Sequence, residues 1–303
     1  MTIVIAGGTG FLGRALKDAL VHDGHDLVIL SRAPNPRPQG PRVRTVAWNP
    51  DGSVGEWAAA LEQAHAVVNL AGDSIAEGRW TAAKKQRIVD SRVLATRSLA
   101  GAIARAAAPP QTFVSGSAVG YYGPLGDDIV TESHGPGSDF LADVCQRWEA
   151  EAVRAESAKT RVALIRTGLV LDKHEGALPR MLLPFKVGAG GPLGSGRQYW
   201  PWIHRADWVD LVRFVIDTGG ASGPINATAP VPVTNAEFTK VLGRTLHRPA
   251  FLPAPAFALR LALGEMADAL LLSGQRAVPA RAEQLGYRFS FRELDGALRS
   301  ILA

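Results

Sequence analysis

Ile3-Val4-Ile5-Ala6 is a short apolar, largely β-branched run, and Gly7, Gly10 and Gly13 follow it at three-residue spacing. Behind the glycines, Phe11, Leu12, Ala15, Leu16, Ala19 and Leu20 recur at helical period. A buried strand, a tight turn and a helix use all of these features at once. In that arrangement Gly7 turns the chain sharply, Gly10 lets the backbone approach a pyrophosphate, and Gly13 lets the helix lie close against the strand. Backbone N–H groups across Thr9, Gly10, Phe11, Leu12 and Gly13 then face an anion at the positive end of the helix. A second strand, Asp26 to Leu30, follows at the distance a βαβ unit requires. That context marks a dinucleotide site rather than incidental glycines.

Strands and helices alternate onward. Strand patterns at 43–47, 66–70, 112–115 and 161–167 are interleaved with helical patterns at 56–64, 81–107 and 139–158. A Pro-rich loop lies at 33–41, and Pro109-Pro110 closes the long helix. This is the order of an α/β, doubly wound parallel sheet of Rossmann type. Residues 1–172 read as the dinucleotide-binding domain, with a strand-and-helix return at about 205–228. Residues 173–204 and 229–303 read as a substrate-side loop and a smaller, mostly helical C-terminal lobe, with helices at 235–246, 257–271 and 291–302. The lobe and the glycine-rich loop at 188–196 should cover the C-terminal edge of the sheet, where such folds bind ligands.

The 303 residues are 47% hydrophobic and 20% charged, the balance of a globular chain with an ample core. A single cysteine, Cys145, excludes an intrachain disulfide and fits a reducing compartment. With a strand opening at residue 2 and the most apolar stretch, 256–272, interrupted by Arg260, Glu265 and Asp268, the expectation is a cytoplasmic protein with no membrane partner. The net charge of +5 comes from scattered Arg and Lys, not a basic run, which argues against nucleic acid. The seven histidines are dispersed, so no metal is expected.

The end of the second strand bears on cofactor choice. An NAD site places an acid there for the ribose hydroxyls; here the strand ends Leu30-Ser31-Arg32. Arg32 suits a 2′-phosphate, with Ser31 adding a hydrogen bond, so NADP(H) is expected over NAD(H).

Three further segments carry a resemblance: Asn69-Leu70-Ala71-Gly72, then Ser115-Gly116-Ser117-Ala118-Val119-Gly120-Tyr121-Tyr122-Gly123, then Gly194 to Arg197 with Ile203-His204-Arg205-Ala206-Asp207. With the glycine turn they resemble the extended short-chain dehydrogenase/reductase (SDR) superfamily, the relatives of sugar-nucleotide epimerases. The resemblance implies cofactor contacts at Leu70, Ala71, Gly72 and Ser115; Arg166 and Thr167 close the sixth strand and should face the cleft as further cofactor contacts, the alternative being an ion pair at the strand end. It also implies a Tyr-x-x-x-Lys pair on the helix after the fifth strand, for proton transfer. Those positions fall here on Leu141 and Cys145, and Arg92 stands where an asparagine is usual. This combination is similar to the atypical subgroup called epimerase family proteins, with an uncharacterised C-terminal domain and undefined substrates. Trp200-Pro201 replaces the Arg-Asp by which nucleotide-sugar enzymes grip a diphosphate, so a nucleotide sugar is not expected.

The candidate catalytic residues are therefore Ser117, Tyr121 and Cys145. Ser117 either orients a carbonyl or closes its strand. Tyr121, or its neighbour Tyr122, either donates a proton or packs at the pocket rim. Cys145 reads first as a small buried hydrophobe, and as a thiolate only if a cation such as Arg92 lies near. Trp200, Trp202 and His204 are the candidate substrate pocket, and Asp207 reads as a helix-start acid. The sequence supports an NADP(H)-dependent oxidoreductase acting on a small apolar or aromatic substrate. The alternatives are an NADP(H)-responsive sensor or scaffold with a protein partner and no turnover, and an epimerase or dehydratase.

Overall fold

The computed structural model describes residues 1–32 and 40–303. Most of the Pro-rich loop at 33–41 lies outside the described residues. Seven parallel strands form one sheet: β1 (Thr2–Ala6), β2 (Asp26–Ser31), β3 (Val43–Ala47), β4 (Ala66–Asn69), β5 (Thr112–Ala118), β6 (Arg161–Thr167) and β7 (Gly223–Ala227). Their spatial order is β7-β6-β5-β4-β1-β2-β3. Chain order reverses beside β1, and there a crevice opens at the C-terminal ends of the strands.

Alternation along β1 divides the core between two faces. Ile3 and Ile5 point to the face covered by α1 (Phe11–His22), through Leu16 and Leu20, and by the later helix Arg205–Asp217, through Trp208 and Val212. Val4 and Ala6 point to the other face. There they meet Leu99 and Ile103 of α2 (Ala82–Arg105), Ala152 of α3 (Phe140–Val153), and Trp57 and Leu61. Thr81 and Asp139 cap α2 and α3 by accepting from the backbone N–H of Lys84 and Ala142.

Two local expectations change. The pattern at 56–64 forms a shorter 3-10 helix, Glu56–Leu61, which buries Trp57, Ala60 and Leu61 with about two turns of backbone. The apolar run 257–271 is not one helix: it breaks at Gly264, whose φ of +64° lies in the region that favours glycine.

Beyond β6 the chain forms α4 (Leu178–Lys186), α5 (Arg205–Asp217), α6 (Asn235–Leu246), α7 (Ala256–Leu263) and a C-terminal helix, Leu294–Leu302. Leu178, Leu182 and Phe185 of α4 share a core with Trp200, Trp202, Phe238, Leu242, Leu294 and Leu298. This second core walls one side of the crevice. Helix α7 has no fully buried residue, and its Leu259, Ala262 and Leu263 line the crevice. Its Leu261 carbonyl accepts from Arg79, Glu265 just beyond it pairs with Lys85, and Arg180 of α4 donates to Ala76 O. No helix among the described residues is long and apolar enough to cross a membrane.

Candidate functional site

A cleft of about 1500 Å³ runs from the glycine turn to the second core. Ligand sites commonly measure about 300–1,000 Å³, so two ligands can lie end to end.

The glycine turn forms one end. Gly7 has φ +80°, and a Cβ there would stand 2.7 Å from the Leu70 carbonyl carbon and oxygen. At Gly13 a Cβ would stand 2.2 Å from Gly7 O, so α1 can lie this close to the turn only with glycine. Gly10 N donates to Gly7 O at 3.0 Å, which closes the turn. The start of α1 carries no side-chain cap and no acid in its first turn. The N–H groups of Phe11, Leu12 and Gly13 precede the intrahelical ladder and are left for an anion. Gly7, Gly10, Phe11, Leu12 and Gly13 line the cleft; Thr9 is exposed beside them, its carbonyl accepting from Arg14.

On one side, Ser31 ends β2 half-buried and Arg32 follows, exposed. On the other, Asn69 shapes the turn after β4. Its Oδ1 accepts from Ala71 N at 3.2 Å and its Nδ2 donates to Thr96 at 2.8 Å. Leu70 and Gly72 line the cleft and Ala71 does not. Arg92 reaches beneath Gly72 from α2, donates to Asp73 O at 3.0 Å and sits over the Trp148 ring at 5.3 Å. Burial lowers the Arg92 pKa, partly offset by Cys145 and Asp73.

Beyond the turns stands a buried polar cluster. Glu149, on α3, is gripped by Arg166 from β6 through two bonds of 2.8 Å, Nε to Oε1 and Nη2 to Oε2. Ser117 Oγ donates to Glu149 Oε1 at 2.6 Å. Arg166 Nη1 donates to Tyr122 Oη at 3.0 Å, and that hydroxyl donates to Asn226 Oδ1 at 2.8 Å. Burial pushes the Tyr122 phenol up to about 12 against the pull of Arg166. The Arg166 guanidinium also lies 3.5 Å over the Tyr121 ring.

Of the catalytic candidates, Ser117 and Cys145 line the cleft and Tyr121 does not; its ring packs on Arg166. The Cys145 thiol is buried against Ala118 O at 3.7 Å. Burial and then Glu149 push its pKa up to about 12, against a weaker pull from Arg92. It stays a thiol at neutral pH. Helix α3 presents Leu141, Val144, Cys145 and Trp148 to the cleft, and its sequence contains neither tyrosine nor lysine.

Among the cofactor candidates near β5 and β6, Thr167 lines the cleft and accepts from Trp208 Nε1 at 3.1 Å. Ser115 is fully buried within the sheet, and Arg166 is consumed by Glu149 and Tyr122. Among the pocket candidates, Trp200 lines the cleft, whereas Trp202 is core, its Nε1 donating to Val231 O at 3.1 Å. His204 caps α5 by accepting from Ala206 N at 3.0 Å and stacks on Phe291. Asp207 is the early-turn acid of α5, and it accepts from Ser290 N and Phe291 N at 2.8 and 2.9 Å.

Sequence reasoning missed Trp148 and Tyr199 as cleft walls and Glu149 as the partner of Arg166. A glutamate amid apolar helix positions, opposite an arginine inside a strand, was the available signal.

The family model described as "NAD dependent epimerase/dehydratase family" matches residues 3–227, and a domain of unknown function matches 254–301. An epimerase family protein of Mycobacterium leprae is 43% identical, over 98% of this chain and 94% of its own length. The chloroplastic SDR39U1 homolog of Arabidopsis thaliana is 40% identical, over 100% of this chain and 87% of its own length. The crystal structure of human epimerase family protein SDR39U1 with NADPH superposes with a TM-score of 0.90 at 37% identity, covering 99% of each chain. A family model spanning the whole sheet, from β1 to β7, sets the conclusion: this chain belongs to the NAD dependent epimerase/dehydratase family.

Proposed function

We propose that the protein is an NADP(H)-dependent oxidoreductase of the atypical SDR kind, acting on a small, apolar or aromatic substrate. The observation that carries this reading is the geometry of the cleft. One end is an uncapped helix start behind a turn that tolerates no Cβ at Gly7 or Gly13, and the other is walled by aromatic and aliphatic side chains. A dinucleotide fits the first end, and the human relative is described with NADPH. NADP(H), when bound, supplies or takes a hydride.

The residues divide the remaining tasks. Backbone N–H groups from Phe11 to Gly13 hold the pyrophosphate, and Ser31 and Arg32 take the 2′-phosphate, which favours NADP(H) over NAD(H). Leu70 to Gly72 run alongside, and Arg92 supports that turn from below. Ser117, its proton engaged by Glu149, offers lone pairs to the cleft and accepts from a water or from a substrate hydroxyl. Tyr121 lies off the cleft, so water at Ser117 exchanges the proton. Without a dedicated acid, turnover is slower by roughly two to four powers of ten than with one.

The test is a titration with NADPH and NADH followed by nucleotide fluorescence, then addition of aldehydes, ketones and quinones. Tight NADPH binding and oxidation by at least one carbonyl are expected, and Tyr121→Phe should leave turnover within a few-fold. Binding with no oxidation across the panel would leave a nucleotide-responsive protein without turnover. No binding of either nucleotide would remove the proposal at its base.

A further inference from the structure

Among the described residues three arginines line the cleft, Arg79, Arg92 and Arg180, and each donates to a backbone carbonyl rather than to a carboxylate. Arg79 and Arg180 are exposed, so water satisfies their charge; Arg92 is only partly exposed. Its guanidinium is held in a fixed plane. Nη1 donates to Asp73 O at 3.0 Å and to Ile88 O at 3.1 Å. A Cβ on Gly72 would stand 3.2 Å from Cζ, 3.3 Å from Nη1 and 3.4 Å from Nη2, so the flat face of the group lies against that glycine. The Trp148 ring also bears on it, at 5.3 Å.

One edge of the group is open. Nε and Nη2 make no hydrogen bond to the described residues, and both keep surface open to solvent. The accessible part of Arg92 lines the cleft beside Gly72, which is itself exposed. Arg166 shows what such an edge is shaped for: its Nε and Nη2 grip the two oxygens of Glu149. The acids around Arg92 are already engaged, Asp73 by Lys84 at 2.7 Å and Glu149 by Arg166 at 2.8 Å. Helix α3 adds Leu141, Val144, Cys145 and Trp148 to the same cleft, an apolar wall whose cysteine stays a neutral thiol.

We infer that the Nε–Nη2 edge of Arg92 is a carboxylate site, and that the cleft takes a monocarboxylic acid with an apolar or aromatic body. A neutral ligand laid over Arg92 would strip its water and leave a partly buried charge unmatched. A carboxylate brings two coplanar acceptors and the opposite charge at once, while its body packs on α3. The inference rests on the proposed reading of the cleft as a substrate site, which it narrows to carboxylic acids.

Two matched probes test it by equilibrium dialysis against the full chain, with and without NADP+: 2-naphthoate and methyl 2-naphthyl ketone. The naphthoate should bind roughly tenfold tighter or more, although the neutral ketone is easier to desolvate. Arg92→Gln should weaken naphthoate roughly tenfold and the ketone by no more than about twofold. Arg92→Lys, a point charge without the fork, should restore only part of the loss. Equal or tighter binding of the ketone, equal weakening of both probes by Arg92→Gln, or no binding of naphthoate would overturn the site. The two-probe comparison needs no variant and stands even if Arg92→Gln fails to fold. NADPH binding, followed on the same proteins by nucleotide fluorescence, separates the two ideas. NADPH binding without naphthoate preference removes the carboxylate site alone, and naphthoate preference without NADPH binding removes the oxidoreductase alone. Loss of NADPH binding in Arg92→Gln with naphthoate unaffected would give the open edge to the cofactor and overturn the carboxylate site.

Discussion

Glu149 and Arg166 meet through two parallel 2.8 Å hydrogen bonds in a place where each is more than nine-tenths buried. Both charges are withdrawn from solvent, and Ser117 and Tyr122 add one further hydrogen bond each, to Glu149 and from Arg166. The pair ties α3 to the sheet directly beneath the cleft.

Removing one partner leaves the other buried and unpaired. Glu149→Ala should cost about 3–5 kcal/mol of stability. Urea unfolding measures it. A loss under 1 kcal/mol would show that Arg166 finds water or another acceptor.

The glycine turn gives a paired prediction. Gly13→Ala places a Cβ 2.2 Å from Gly7 O and should abolish nucleotide binding and lower the melting temperature. Gly126→Ala, where a Cβ meets nothing within 4 Å, should do neither. Thermal melts with and without NADPH compare the two, and equal behaviour would count against the close-packing role.

Arg32 bears on cofactor choice alone. Arg32→Ala should weaken NADPH binding by about 1.5–3 kcal/mol, the scale of a charged hydrogen bond, and leave NADH nearly unchanged. Nucleotide fluorescence titration reads both, and equal losses would place the 2′-phosphate elsewhere.

Cys145 predicts a pH dependence. Its folded-state pKa is pushed up to about 12 from an ordinary value of 9.0, so the native state holds the proton more tightly than the unfolded chain. The stabilisation is complete below pH 9 and is lost as pH rises toward 12. Urea midpoints between pH 8 and 11 should fall more steeply for the native chain than for Cys145→Ala. Alkylation by iodoacetamide at pH 8 should be slow in the native protein and fast once unfolded. Parallel slopes and rapid native alkylation would mean an accessible thiolate.

The sheet was legible because β1 and its glycines carry local signals: a short continuous apolar, β-branched run, three small residues at fixed spacing, then helical period. The strand-and-helix return was equally plain, since Trp208, Leu211, Val212 and Val215 repeat toward one face. The break at Gly264 was missed because an apolar run hides a single glycine with positive φ. Trp200 and Trp202 looked alike in sequence, being two apart in an aromatic cluster. Which of them faces the cleft depends on pairing with Val233, thirty residues away, and on burial against the second core. The Glu149–Arg166 contact joins a helix on one face of the sheet to a strand inside it, so no local pattern announced it. Trp148 and Tyr199 became visible only once the walls stood opposite each other.

Helix α7 has consequences for the tempo of ligand exchange. Its polar contacts to the opposite wall are water-exposed, Arg79 to Leu261 O and, just beyond the helix, Lys85 to Glu265, and none of its own residues is fully buried. Exposed ion pairs of this kind hold by only about 0–1 kcal/mol and weaken within a Debye length of about 8 Å at physiological salt. The opening is therefore bordered by contacts that dissolved ions can loosen, whereas the glycine turn is held by backbone hydrogen bonding and close packing that salt does not screen. Residence time in the cleft should shorten as ionic strength rises, even for a ligand that carries no charge.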